Sequence, residues 1–295
     1  MEHTLATSAD GSNTLQLTRF NETYHSRNGA FTEASHIYIR CGLEYLFEKG
    51  LQSSSGAHEL SSGAPVAGIS ASAATTVCIN IFDVGLGTAL NCILLYAWQQ
   101  QLRQQGLPHP QIRYCGIEKY PIQPTEAQQL NYPTIIAQQL DLLPDKLAEI
   151  FHLMHNCPWE KDIAIPPLST EAGQWQTQDF ILHKSCADIA ALEVEYYRKA
   201  CRMKGNAAVV SRATEDSEIT SSPAVVFYDT FSPATQPHLW DERIFHKIAA
   251  GCPAGSVLVT YCSKGTVKQA LRGAGFTLER LAGPPGKRHI LRGTL

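Results

Sequence analysis

Charge is scarce in this chain. Only 17% of its 295 residues are Asp, Glu, Lys or Arg, against 44% that are apolar; soluble domains usually carry about 25% charged residues. A disordered chain needs the opposite balance, so a mainly unfolded protein is excluded. Long apolar runs are missing as well. No stretch approaches the roughly 18 uncharged apolar residues of a membrane helix, and residues 1–13 have neither the apolar core nor the basic flank of a signal peptide. No Cys-x-x-Cys pair occurs among the nine cysteines, at 41, 78, 92, 115, 157, 186, 201, 252 and 262. That odd, scattered set fits reduced thiols serving as small hydrophobes better than a disulfide framework. The eleven histidines are scattered too, with His152 and His155 three apart, and no metal site is expected. A cytoplasmic location, with no membrane association, is the expectation.

The charge that is present is unevenly placed. From Lys264 to Leu295 there are seven Lys or Arg and one acid, Glu279, while the whole chain is at −3. The last 32 residues therefore stand at about +6 and the first 263 at about −9, a division that suits contact with a polyanion through the C-terminal end. A solvated helix face followed by an edge strand accounts for the same charges.

The pattern of residues is that of alternating strands and helices. Residues 14–24 read as extended, and Ile37-Tyr38-Ile39 as a short strand before a helical turn near Leu43–Leu46. Ser, Ala and Gly dominate 51–75, which reads as a flexible loop between an N-terminal extension (1–50) and a main domain (76–295). Val77–Val84, Ile112–Glu118, Phe180–Cys186, Ala224–Asp229 and Ser256–Cys262 are apolar strand runs. The helix after the first has Leu90, Ile93, Leu94, Ala97 and Leu102 near a 3.6-residue period. Pro237–Ala250 and Lys264–Gly273 read as helices, Phe276–Leu281 and His289–Leu295 as a closing antiparallel pair, and 205–222 as an inserted loop. Such alternation implies an α/β fold with a mostly parallel sheet covered on both faces. Ligands of such sheets bind beyond the C-terminal strand ends.

Four positions there carry chemistry. Gly85 and Gly87, in Asp83-Val84-Gly85-Leu86-Gly87-Thr88, let the chain turn tightly and a ligand lie against the backbone; the third glycine of the dinucleotide fingerprint is missing, and a plain connecting turn is the alternative. Glu118 ends the next strand, where a carboxylate can accept from both hydroxyls of a ribose. Asp188 can meet an adenine amino group, or simply cap the helix before Ile189-Ala190-Ala191. Asp229-Thr230-Phe231-Ser232-Pro233 leaves an apolar strand as an acid, an aromatic and a proline, a set able to orient and cover an amine; a turn built on Asp and Pro is the alternative.

Five motifs occur in order: Phe20-Asn21-Glu22-Thr23-Tyr24-His25-Ser26-x-Asn28-Gly29-Ala30-x-x-Glu33, Asp83-Val84-Gly85-Leu86-Gly87-Thr88-Ala89-Leu90-Asn91, Ile117-Glu118-Lys119-Tyr120-Pro121, Asp229-x-Phe231-x-Pro233-x-x-x-Pro237-x-Leu239-Trp240 and Gly286-Lys287-Arg288. Together they resemble the methyltransferase module of the tRNA 5-methylaminomethyl-2-thiouridine biosynthesis family (MnmC/MnmD type). The resemblance implies a Rossmann-like class I fold with a seven-stranded sheet and S-adenosylmethionine as cofactor. It also implies methylation of the 5-aminomethyl group of a wobble (2-thio)uridine in the tRNA anticodon stem-loop. It puts Asp83, Gly85, Gly87, Thr88, Asn91, Glu118, Lys119 and Asp188 at the cofactor and Asp229 at catalysis. Tyr24, Ser26, Asn28, Glu33, Phe231 and Pro233 fall to the substrate, with Lys264, Lys268, Lys287 and Arg288 as candidate phosphate contacts. For Gly286-Lys287-Arg288 a rival reading is closure over the cofactor. The chain departs from the family in having Leu86 for the usual Phe, Ala89 for a frequent Gly, and Gln236 for a common Asn. The flavin-dependent oxidase half of bifunctional members is not expected here, nor is a flavin, and a separate oxidase or other tRNA-modifying enzyme is a candidate upstream partner.

The chemistry demands a neutral amine. A primary alkylamine with a pKa of about 10.4 is neutral in only about one molecule in 2,500 at pH 7. A carboxylate alone favours the ammonium, so Asp229 must act together with desolvation by Phe231 and its neighbours. Two other classes compete: an S-adenosylmethionine-dependent N-methyltransferase of another amine, and a non-catalytic nucleotide-binding or nicotinamide-dependent protein.

Overall fold

The computed structural model describes residues 3–55, 77–168, 179–202 and 222–295. Most of the loops expected at 51–75 and 205–222 lie outside the described residues.

The described residues contain eleven strands: β1 (His3–Thr7), β2 (Asn13–Leu17), β3 (Glu22–Thr23), β4 (Cys78–Val84), β5 (Gln111–Glu118), β6 (Asp162–Ala164), β7 (Phe180–Cys186), β8 (Ala224–Tyr228), β9 (Val257–Thr260), β10 (Thr277–Ala282) and β11 (His289–Thr294). The first three form a small antiparallel sheet. The other eight form one sheet in the order β10-β11-β9-β8-β4-β5-β7-β6. Its five central strands run parallel, β11 is antiparallel to both neighbours, and β6 is antiparallel to β7. The expected seven strands are all there. The eighth, β6, is a three-residue edge strand, too short to carry a period that can be read.

The central strands are apolar on both faces because both are covered. Ile79 and Ile81 of β4 and Val225 and Phe227 of β8 join one core, under the helices Leu90–Gln104, Tyr132–Leu140 and Pro144–Asn156. The intervening Phe82, Val84, Val226 and Tyr228 join the other, under Val194–Cys201, Glu242–Gly251 and Gly265–Gly273. This two-residue alternation is how a pleated strand feeds two layers. No helix among the described residues is long and apolar enough to cross a membrane.

The strand expected at Ile37–Ile39 is instead helix. Residues 30–55 form a continuous helical run with a π-helical middle, Ser35–Glu44. A short apolar run of buried residues does not by itself distinguish strand from buried helix. Here Ile37, Tyr38 and Ile39 are all buried, and the helix lies so close to the sheet that a Cβ on Gly42 would sit 2.9 Å from Val259 Cγ2. The expected helix over 237–250 is divided into a 3₁₀ turn, Pro237–Trp240, and a helix, Glu242–Gly251, which Asp241 caps by accepting from the Arg243 N–H.

Candidate active site

The parallel strands end at one edge of the sheet, and a cavity of about 730 Å³ lies there. That is within the size range of small-molecule and cofactor sites. Its wall is built from the loops after β4, β5, β7 and β8 and from the β2–β3 hairpin.

The β4 loop forms a cradle. Gly85 and Gly87 take φ of 95° and 50°, which only glycine adopts without strain. A Cβ at 85 would lie 2.6 Å from the Asp229 carbonyl oxygen, and one at 87 only 3.0 Å from the Tyr24 ring. The glycines thus let the loops after β4 and β8 touch and leave backbone facing the cavity. Glu118, at the tip of β5, accepts from the Gly87 N–H at 3.1 Å and the Tyr120 N–H at 2.9 Å. Burial pushes its carboxyl up, opposed by those N–H groups, and it remains on the cavity wall with Lys119 and Tyr120. Asp188 caps the 3₁₀ turn Ile189–Ala191 through the Ala190 N–H, and Lys119 Nζ donates to it at 2.7 Å. It nevertheless lines the cavity, so capping the turn does not withdraw it from the site.

Three expected cofactor residues stand behind this wall. Asp83 is wholly buried and accepts from the Tyr114 hydroxyl at 2.5 Å; burial, reinforced by the nearby Asp229, holds its carboxyl well above the ordinary range. The Thr88 hydroxyl is also fully buried, 2.7 Å from His25 Nε2 and 3.1 Å from the Tyr132 hydroxyl. It therefore ties the loop to the N-terminal segment rather than facing the cavity. Asn91 links outward: its Nδ2 donates to Asp229 Oδ2 at 2.9 Å.

Asp229 lines the cavity and is half-buried. Burial raises its pKa, against the opposing influence of the Tyr38 hydroxyl, the Asn91 amide and the Lys287 charge. Phe231 and Tyr24 both line the cavity and meet edge-to-face at 5.0 Å. Pro233 is half-buried on the same loop.

The remaining substrate residues divide. Ser26 accepts from the Asn28 N–H, and Asn28 packs against Gly286, where a Cβ would lie 2.1 Å from its Nδ2. The N-terminal segment thus abuts the β10–β11 turn. Glu33 pairs with Lys287 at 2.5 Å, and Lys287 Nζ lies 4.9 Å from the centre of the Tyr261 ring. Lys287 is therefore engaged within the fold, and neither it nor Gly286 and Arg288 lines the cavity. Lys264 and Arg288 are exposed and Lys268 half-buried.

Arg19, Phe20, Tyr38 and His238 join the site without a role assigned from the sequence pattern. Phe20 is 47% exposed on the cavity wall with the Arg19 guanidinium 5.4 Å from its ring centre, and His238 also lines the cavity. An aromatic next to a cation in an otherwise polar turn is the signal that could have found the first two. Tyr38 carries no such signal, since its segment reads locally as a strand.

The residues present fit S-adenosylmethionine: a side-chain-free glycine cradle, a strand-tip carboxylate on the wall, and Asp188 beyond it. The architecture is that of the Rossmann-like class I fold, and residues 184–295, less than half of the chain, match the family described as S-adenosyl-L-methionine-dependent methyltransferase.

Within that class the chain resembles the methyltransferase module of the MnmC family. It is 44% identical over 69 residues to the tRNA 5-methylaminomethyl-2-thiouridine biosynthesis bifunctional protein MnmC of Nitrosospira multiformis, a match spanning 23% of this chain and 11% of that protein. The protein of that name from Azoarcus sp. is 48% identical over 65 residues, 22% of this chain and 10% of its own length. These matches thus span about a tenth of the relatives' length. The crystal structure of MNMC2 from Aquifex aeolicus has the same fold: it aligns over 100% of this chain and 71% of its own at a TM-score of 0.56 and 19% identity.

Proposed function

We propose that this protein transfers a methyl group from S-adenosylmethionine to the 5-aminomethyl nitrogen of a wobble (2-thio)uridine in tRNA. The observation that carries the reading is Asp229, a half-buried carboxylate with a raised pKa just after β8, which lines the same cavity as the Tyr24–Phe231 aromatic pair. The resemblance to MnmC supplies the nucleotide context.

Bound in the glycine cradle, S-adenosylmethionine supplies an electrophilic methyl group. Gly85 and Gly87 would leave room for it, Glu118 would accept from its ribose, and Asp188 would stand near its adenine. Asp229 orients the amine and takes its proton. A raised pKa makes that carboxylate a better base than an exposed Asp. Tyr24 and Phe231 exclude water, which disfavours the ammonium form, while Asn91 fixes the carboxylate. His25 stays neutral near the site, because burial pushes its pKa down to about 4. The uridine base has to leave its stack to reach this depth, and Phe20 with Arg19 offers an aromatic and cationic surface of the kind that receives unstacked bases. In this reading residues 1–50 are an extension that frames the substrate side of residues 76–295.

Incubation with labelled S-adenosylmethionine and tRNA bearing aminomethyluridine tests the reading. Label should enter that tRNA and not tRNA lacking the aminomethyl group. Label in both, or in neither while small amines are methylated, would favour the other amine-directed class.

A further inference from the structure

The loop that carries Asp229 and Phe231 is held from behind by two side chains. Trp240 Nε1 donates to the Phe231 carbonyl at 2.9 Å, and the Tyr261 hydroxyl donates to the Thr230 carbonyl at 2.9 Å. From the front it is held by Glu22, from a different sheet and 210 residues away. One Glu22 oxygen accepts from the Ser232 N–H at 3.1 Å; the other accepts from the Ser232 hydroxyl at 3.4 Å and from the Thr235 hydroxyl. Glu22 itself is placed by β3, which pairs with β2 at Leu17 opposite Glu22. The same segment supplies Tyr24, whose ring meets Phe231. Glu22 is not on the cavity wall, so its carboxylate acts on the loop rather than on a ligand.

We propose that Glu22 is a positioning residue for methyl transfer, latching the Asp229–Thr235 loop to the N-terminal sheet so that carboxylate and aromatic cover stay in register. The inference rests on the function proposed above. A carboxylate is suited to the task because it can accept from a backbone N–H and two hydroxyls at once. Without it the Ser232 N–H loses its acceptor and the loop is tied on one side only. A misplacement of about 1 Å at reacting groups can cost about 100-fold in rate.

The test uses the full chain labelled with 5-fluorotryptophan. The protein has four Trp, and Trp240→Phe assigns the resonance that reports on the loop through the Phe231 carbonyl. Glu22→Ala, Glu22→Gln and Ser232→Ala/Thr235→Val are compared in fluorine NMR, cofactor affinity and single-turnover methylation of aminomethyluridine tRNA. The expected result is a shifted or broadened Trp240 resonance and a rate lower by about tenfold or more in Glu22→Ala, with cofactor affinity within about twofold. Glu22→Gln, which keeps the shape and one acceptor oxygen, should fall between wild type and Ala. The rate effect of Glu22→Ala should shrink in the Ser232→Ala/Thr235→Val background, because the two changes remove one set of interactions. An unchanged Trp240 resonance in Glu22→Ala, or fully additive rate effects, would overturn the latch. A disturbed Trp240 resonance in a protein whose wild type never methylates this tRNA would support the latch and overturn the proposed function.

Discussion

Asp229 is the residue on which most of the proposed chemistry rests, and its surroundings set two opposed demands. Its pKa is raised by burial, so the folded state holds a proton there that the unfolded chain releases near pH 3.8. The linkage is therefore unfavourable to folding above that pH: the stability associated with the neutral carboxyl is complete below the ordinary carboxylate pKa and is lost as pH rises through the raised one. Asp229→Asn removes that dependence. It should match wild type in thermal unfolding at a pH of about 4 or below and become the more stable of the two as pH rises above that, while turnover falls by a factor of about 100 or more. Thermal melts across pH beside a rate assay check both halves; wild-type turnover in the variant would remove Asp229 from the mechanism. Gly85→Val and Glu118→Ala should each weaken cofactor binding, the first by filling the cradle against the Asp229 carbonyl. The second removes a charged acceptor contributing about 1.5–3 kcal/mol. Calorimetry showing unchanged affinity in both folded variants would place the cofactor elsewhere.

The helix Leu90–Gln104 starts from a strained residue. Ala89 has φ 58° and ψ 23°, a left-handed conformation that costs a non-glycine residue about 1–2 kcal/mol. Ala89→Gly should therefore stabilise the fold by up to about 1 kcal/mol once the larger entropy of the unfolded glycine is counted, seen as a raised denaturant midpoint. A lowered midpoint would mean that the Ala89 methyl, which is buried, contributes more by packing. The sequence is informative at this point, because Gly85, Gly87 and Ala89 read as one turn leading from strand to helix. Elements with strong period or continuous apolar runs, such as β4, β5, β8 and the Leu90 helix, are legible in the same way. The helix through Ile37–Ile39 is not. Its residues are buried against Phe227 and Val259 of a sheet formed far along the chain, and nothing local distinguishes that from a strand. The site shows the same limit. Asp229, Phe231 and Glu118 announce themselves at strand ends, whereas Tyr38, Asn91 and Glu22 act through partners more than 130 residues away.

The charge asymmetry of the whole chain gains a finer division from the structure. Of the basic C-terminal residues, Lys287 is engaged with Glu33 and Tyr261, whereas Lys264 and Arg288 are exposed and Lys268 is half-buried. Replacing Lys264, Lys268 and Arg288 by Ala should weaken tRNA binding and make its salt dependence shallower, by about 0.7 in log–log slope for each single-strand phosphate no longer neutralised. Lys287→Ala should instead leave the slope alone and lower stability by on the order of 1–3 kcal/mol, because Glu33 is left buried without its partner. Filter binding at several salt concentrations, with a denaturant series, separates the two sets. A slope that responds to Lys287→Ala and not to the other three would reverse the assignment.

The proposed methyl transfer joins a cofactor, an amine and a nucleic acid, and a single assay addresses all three. Purified protein, S-adenosylmethionine and tRNA carrying 5-aminomethyl-2-thiouridine are incubated together, with Asp229→Asn in parallel, and the digested nucleosides are resolved by mass spectrometry. Conversion of the aminomethyl nucleoside to its N-methyl form by wild type, with little or none by Asp229→Asn, is the predicted result. An aminomethyl nucleoside left intact by a folded protein that binds the cofactor would overturn the proposed function, and equal conversion by both proteins would remove Asp229 from it.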